Sequence, residues 1–161
     1  MTEIKNPHYT WRSLVLLIAA TIGAGALVGF LTQQDGSFYQ TLVKPSFAPP
    51  SWVFPVAWTL LYAAMAVAMW LVLKTGSRDR LILLGLYIAQ LAVNLLWPYL
   101  FFVQKALGLS FFWLVLLWML AAIMLYQFFR VNKLAGWLLV PYQLWLTFAG
   151  VLNFCVARLN P

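Results

Sequence analysis

Charge is scarce in this chain of 161 residues: 8% are Asp, Glu, Lys or Arg, while 65% are hydrophobic. A soluble domain carries about 25% charged residues, so the deficit argues against one and for an integral membrane protein. Acid is scarcer than base, with 3 Asp and Glu against 10 Lys and Arg. The charges fall in clusters, and none lies inside the apolar runs between them. Ion-coupled pumps and proton relays use ionisable groups within the membrane, and these runs offer none. Histidine occurs once, as His8 in the polar N-terminal stretch. No Cys/His cluster has metal-ligand spacing, and one tail histidine cannot assemble a Ser-His-Asp set. No catalytic or metal-ligating residue is therefore assigned. The single cysteine, Cys155, lies in the last apolar run. It cannot close an intrachain disulfide and says nothing of redox compartment.

The apolar runs cover about 13–31, 53–73, 81–103, 106–129 and 134–157, each within the roughly 17–25 residues that cross a bilayer as a helix. The expectation is an all-α membrane protein: a five-transmembrane-helix bundle, one domain over 1–161, with a connecting loop at about 32–52. Short later loops make neighbouring helices antiparallel. The first run is long for a secretory signal core and lacks a clear small-residue cleavage site, so it reads as a retained helix. Five spans put Lys5, Arg12, Lys74, Arg78, Arg80, Arg130 and Lys133 on one side and Lys44, Lys105 and Arg158 on the other. By the positive-inside rule the N-terminus is cytoplasmic and the C-terminus outside, if the membrane is a bacterial plasma membrane. The basic loops then meet anionic headgroups, and no nucleic-acid partner is expected.

Aromatics are abundant, with 9 Trp, 7 Tyr and 12 Phe. Trp11 and Trp52 sit at span edges and read as interfacial belt. Trp58 and Trp145 lie deeper, near Pro55 and Pro141. On the third span Tyr87, Gln90, Asn94 and Trp97 recur at helical spacing and share one face. Gln143, Thr147 and Asn153 lie among aromatics on the fifth. Such uncharged polar groups either bond between helices or serve as the few polar anchors of an aromatic-walled ligand pocket. Gly23, Gly25 and Gly29 sit in a membrane helix with no preceding strand, which excludes a phosphate loop. Pro49-Pro50 favours extended backbone that needs no helical hydrogen-bond ladder, and Pro55 falls in a first helical turn, where proline costs little. The stretch KPSFAPPSWVFPVAW thus reads as a semi-rigid cover over the bundle mouth, with Trp58 beneath it.

Three segments carry a family resemblance: FYQTLVKPSFAPPSWVFPVAWTLLYAAM from Phe38, GLYIAQLAVNLLWPYLFF from Gly85, and LLVPYQLWLTFAGVLNFCVAR from Leu138. In this order, over nearly the whole chain, they make it resemble the TspO/MBR translocator protein family, the tryptophan-rich sensory proteins that include the peripheral benzodiazepine receptor. The resemblance implies five transmembrane helices, a homodimer, and a cavity beneath the first loop. It implies a tetrapyrrole ligand such as protoporphyrin IX or haem, bound without a separate cofactor. Ligand-binding positions would be Tyr39, Pro49, Pro50, Trp58, Tyr62, Gln90, Asn94, Trp97, Trp145 and Ala149. The small pair Gly85 and Ala89 would form the dimer interface, with Gly25 and Gly29 as the rival pair. The chain departs from the family at Phe38 and Phe47, where members often carry Trp, and at Phe154, where the proposed sterol motif around Leu152 and Arg158 needs Tyr. The roles left open are sensor or regulator, transporter of porphyrin or another apolar ligand, catalyst of light- or oxygen-dependent porphyrin breakdown, and structural partner of another membrane protein.

Overall fold

The computed structural model describes residues 10–32 and 37–161; Lys5, His8 and residues 33–36 of the loop lie outside them. Among the described residues there are helices and no strand. In chain order they are α1 (Trp11–Thr32), α2 (Ser37–Thr41), α3 (Val53–Lys74), α4 (Arg80–Pro98), a π-helical turn (Tyr99–Val103), α5 (Leu107–Val131) and α6 (Lys133–Leu159). Counting α4 with its π turn as one, five helices are long and apolar enough to cross a membrane. The protein is an all-α integral membrane protein built as a bundle of five such helices.

The element ends follow local chemistry. Gly76, at φ 66°, turns the chain after α3, a conformation glycine adopts without steric cost. Asn132 alone separates α5 from α6. Its extended backbone ends α5, and its side chain accepts a hydrogen bond from the Ala135 amide at 3.0 Å, capping α6. This close reversal leaves no room at Gly136, where a Cβ would collide with the Phe129 ring. At the other end, Pro98 has no amide to donate, so it cannot close a normal α-helical bond to the preceding turn. The backbone then widens into the π turn, as helices do where the ladder is interrupted.

The core lies where α3, α5 and α6 meet, with α4 against them. Met65, Met69, Val72, Met124, Phe128 and Leu139 are almost wholly inaccessible. Lipid is as apolar as these side chains, so what holds the helices together here is close packing and interhelical hydrogen bonding. Helix α1 is peripheral, and Thr21 is its one buried residue. It is fastened by polar contacts: Thr21 Oγ1 lies 2.7 Å from Tyr87 Oη, and Trp70 Nε1 donates to Ser13 Oγ at 3.2 Å. At the loop end, Leu42 inserts among Phe101, Leu152 and Val156, making a second, smaller core.

Candidate functional site

Between the loop and the bundle lies a cavity of about 1010 Å³. That is at the upper end of the roughly 300–1,000 Å³ usual for small-molecule sites. Helix α1 gives it one wall, through Gly25, Ala26 and Gly29. The start of α3 gives Phe54, Pro55, Trp58 and Tyr62, and the end of α4 gives Asn94, Trp97 and Pro98. The π turn adds Phe101 and Phe102, α6 adds Ala149 and Asn153, and α2 covers the space with Phe38 and Tyr39. Gly25 is needed for this wall: a Cβ there would strike the Tyr62 ring, so α1 can pass Tyr62 closely only without one.

The rings are fixed by one another and by buried polar groups. Trp58 lies 5.3 Å from Tyr62 at a shallow angle and meets Tyr142 and Trp145 edge-on, each at 6.4 Å. Trp97 stacks on Phe101 at 4.9 Å, and its Nε1 donates to Asn153 Oδ1 at 3.1 Å. The same oxygen accepts from Ser110 Oγ, while Asn153 Nδ2 donates to the Leu107 carbonyl. Asn153 therefore ties the Trp97 indole to the first turn of α5. Deeper in, Tyr62 Oη donates to Asn94 Oδ1 at 2.6 Å, and Asn94 Nδ2 donates to Tyr142 Oη at 3.0 Å. Tyr142 Oη in turn donates to Gln90 Oε1 at 2.9 Å. This chain of bonds locks α3, α4 and α6 together below the cavity. Each such bond contributes about 0.6 kcal/mol on average inside a membrane.

Of the residues singled out in the sequence, Tyr39, Trp58, Tyr62, Asn94, Trp97 and Ala149 line the cavity. Gln90 does not: it is fully buried beneath the cavity, bonded to Tyr142, with its Nε2 unpartnered. Trp145 stands in the aromatic layer outside the lining, packed on Phe54, Trp58 and Phe148, and its Nε1 is also buried without a partner. Pro49 and Pro50 shape the loop from outside the lining; the Pro50 carbonyl accepts from the Val53 amide and starts α3. Trp11 is exposed, while Trp52 is exposed yet reaches the cavity rim. Gly85 and Ala89 face outward on α4, opposite the buried Tyr87, Gln90 and Asn94. Thr147 also faces outward, accepting from Trp118 Nε1 at 2.9 Å. Leu152 is buried whereas Phe154 and Arg158 are exposed, so Leu152 does not share a face with the other sterol-motif positions.

Several features escaped the sequence reading. The short helix α2 is too brief to show a period. The role of Tyr142 could have been found from its place beside Pro141 on the inward face of α6. Tyr39 Oη is buried without a hydrogen-bond partner, and burial raises its phenol pKa above the usual value.

Fold and site together define a class: polytopic helical membrane proteins with an aromatic, ligand-sized cavity closed by an extramembrane loop. Residues 15–159 match the family described as TspO/MBR. The chain belongs to the TspO/MBR family. It is 40% identical over 154 residues to the "Tryptophan-rich protein TspO" of Chlorobaculum tepidum, covering 91% of this chain and 98% of that one. It is 39% identical to the "Tryptophan-rich sensory protein" of Cereibacter sphaeroides, over 92% of each chain. It is also 39% identical to the human "Translocator protein", over 84% of this chain and 83% of that one.

Proposed function

We propose that this protein binds a tetrapyrrole, protoporphyrin or a haem-pathway intermediate, within the membrane and acts as a sensor or regulator. The observation that carries the reading is the cavity, of about 1010 Å³ and walled by Trp58, Tyr62, Trp97, Phe101 and Tyr39. A flat macrocycle offers the π face that such walls suit, and each aromatic contact adds about 0.5–1.5 kcal/mol beyond simple burial. A relative bearing the name "Tryptophan-rich sensory protein" supports the sensory role. The lining among the described residues includes no His, Cys or Met. The residues present therefore fit a macrocycle held by stacking.

The test is protoporphyrin titration by tryptophan quenching and absorbance, with folding checked in parallel. Trp58→Ala should weaken binding about three- to tenfold, Trp58→Phe should fall between it and wild type, and Trp11→Phe should change little. Wild-type binding by folded Trp58→Ala would remove Trp58 from the site. The outward Gly85 and Ala89 support a homodimer through α4, because small residues let helices approach closely in lipid. Gly85→Leu should give monomer in mild detergent; a persistent dimer would place the interface elsewhere. The charge asymmetry supports a cytoplasmic N-terminus. With Cys155 replaced, a cysteine at Thr41 should react with an impermeant reagent on intact cells and one at Thr75 should not; the reverse would invert the topology.

A further inference from the structure

We propose that Lys105 is the anion-recognition residue of this cavity, so that the site takes an amphiphile presenting a carboxylate at the mouth in preference to a neutral ring. The inference rests on the tetrapyrrole reading and narrows its ligand to the acid form. Among the described lining residues Lys105 is the one that carries charge. It stands at the joint between the π turn and α5, with φ 53°. That left-handed backbone is uncommon for a residue with a Cβ, and glycine would adopt it freely. The turn is held firmly: the Gln104 and Ala106 amides donate to the carbonyls of Tyr99 and Leu100, each at 3.0 Å, and the Leu107 amide donates to the Lys105 carbonyl at 3.1 Å. Its effect is to place Lys105 Nζ 5.2 Å from the centroid of the Phe38 ring, which belongs to the cover of the cavity. A lysine serving only to reach lipid headgroups has no need of a strained backbone or of a ring on the loop.

One further observation points to an acid. Lys44, at the same end, is already engaged, donating from Nζ to the Tyr39 carbonyl at 2.8 Å and lying over the Tyr39 ring. Its charge adds to the positive field at the mouth, where apolar walls strengthen it. A carboxylate accepts from an ammonium with the help of its charge, whereas an ester carbonyl accepts only as a neutral group and a bare ring leaves the ammonium unused.

The experiment compares protoporphyrin, with free propionates, and its dimethyl ester in nanodiscs of zwitterionic lipid, where no anionic headgroup competes. Wild-type protein should bind the free acid about three- to tenfold more tightly than the ester, and the preference should shrink as salt is raised. Lys105→Gln should bring the free acid to the level of the ester and leave the ester unchanged; Lys105→Arg should keep the preference. Lys105→Gly, which suits the left-handed backbone and carries no charge, gives the same reading if Lys105→Gln folds poorly. Equal binding of acid and ester by wild type overturns the proposal, as does equal weakening of both ligands in the uncharged variants. If wild-type protein binds neither porphyrin, the tetrapyrrole reading has failed and this one falls with it. If it binds both alike, only the role of Lys105 has failed.

Discussion

The two ends of this bundle are both built largely from apolar side chains and are packed to different results. Toward the α5–α6 turn, the space is filled by Met65, Met69, Val72, Met124, Phe128 and Leu139. Toward the loop, Phe54, Trp58, Tyr62, Trp97 and Phe101 surround a cavity. Methionine is unbranched and bends into irregular gaps. Planar rings meeting edge-on, as Trp58 does with Trp145, leave space that neither can enter. Side-chain shape, more than hydrophobicity, decides which end is solid. The aromatic end is also braced from below, since the Tyr62–Asn94–Tyr142–Gln90 chain lies at the boundary between the two.

By that division the solid end should carry stability and the hollow end binding. The largest effect is expected from Phe128→Ala, which empties a fully buried site. It should cost about 3–5 kcal/mol, read as a lowered midpoint in thermal or detergent-induced unfolding, and exceed the stability cost of Trp58→Ala. Equal costs would break the comparison. Asn94→Leu strikes the boundary: Tyr62 and Tyr142 lose a shared partner, so stability should fall by about 1–2 kcal/mol and porphyrin affinity should fall with it. Intact affinity in that variant would show that the network does not hold the cavity walls. The smallest effect is expected at the cover. Asn160 Oδ1 accepts from the Val43 amide and its Nδ2 donates to the Val43 carbonyl, each at 2.9 Å. Asn160→Ala removes both bonds, together with that from Nδ2 to the Val156 carbonyl at 2.8 Å, at a half-buried site and should cost about 0.5–1 kcal/mol, visible as faster amide exchange around Val43 with no change in the solid end. Unchanged exchange would mean that Leu42 alone holds the loop down.

The five-helix bundle was legible because charge is confined to the gaps between runs, a signal that needs no packing detail. The polar face of α4 was legible too, from helical spacing. Periodicity gives direction around a helix and not depth along it, so Gln90 and Asn94 looked alike. Yet Asn94 reaches the cavity and Gln90 lies buried below it. Trp58 and Trp145 looked alike for a related reason, each near a proline, and only the packing puts Trp58 in the lining. Helix α2 and the π turn span 5 residues each, too few for any pattern to emerge. Lys105 read as a loop charge because a left-handed backbone has no signature in a residue other than glycine, asparagine or aspartate.

The Asn160–Val43 clasp joins positions 117 residues apart. A ribosome adding about 5–20 residues per second needs roughly 6–23 s to make that intervening length. For that interval the loop has been synthesised but its fastening has not, while the helices between them enter the membrane. The clasp is therefore among the last contacts of the cover to form during biosynthesis, and until then the cover rests on its contacts with earlier parts of the chain, such as that of Phe38 with Phe101.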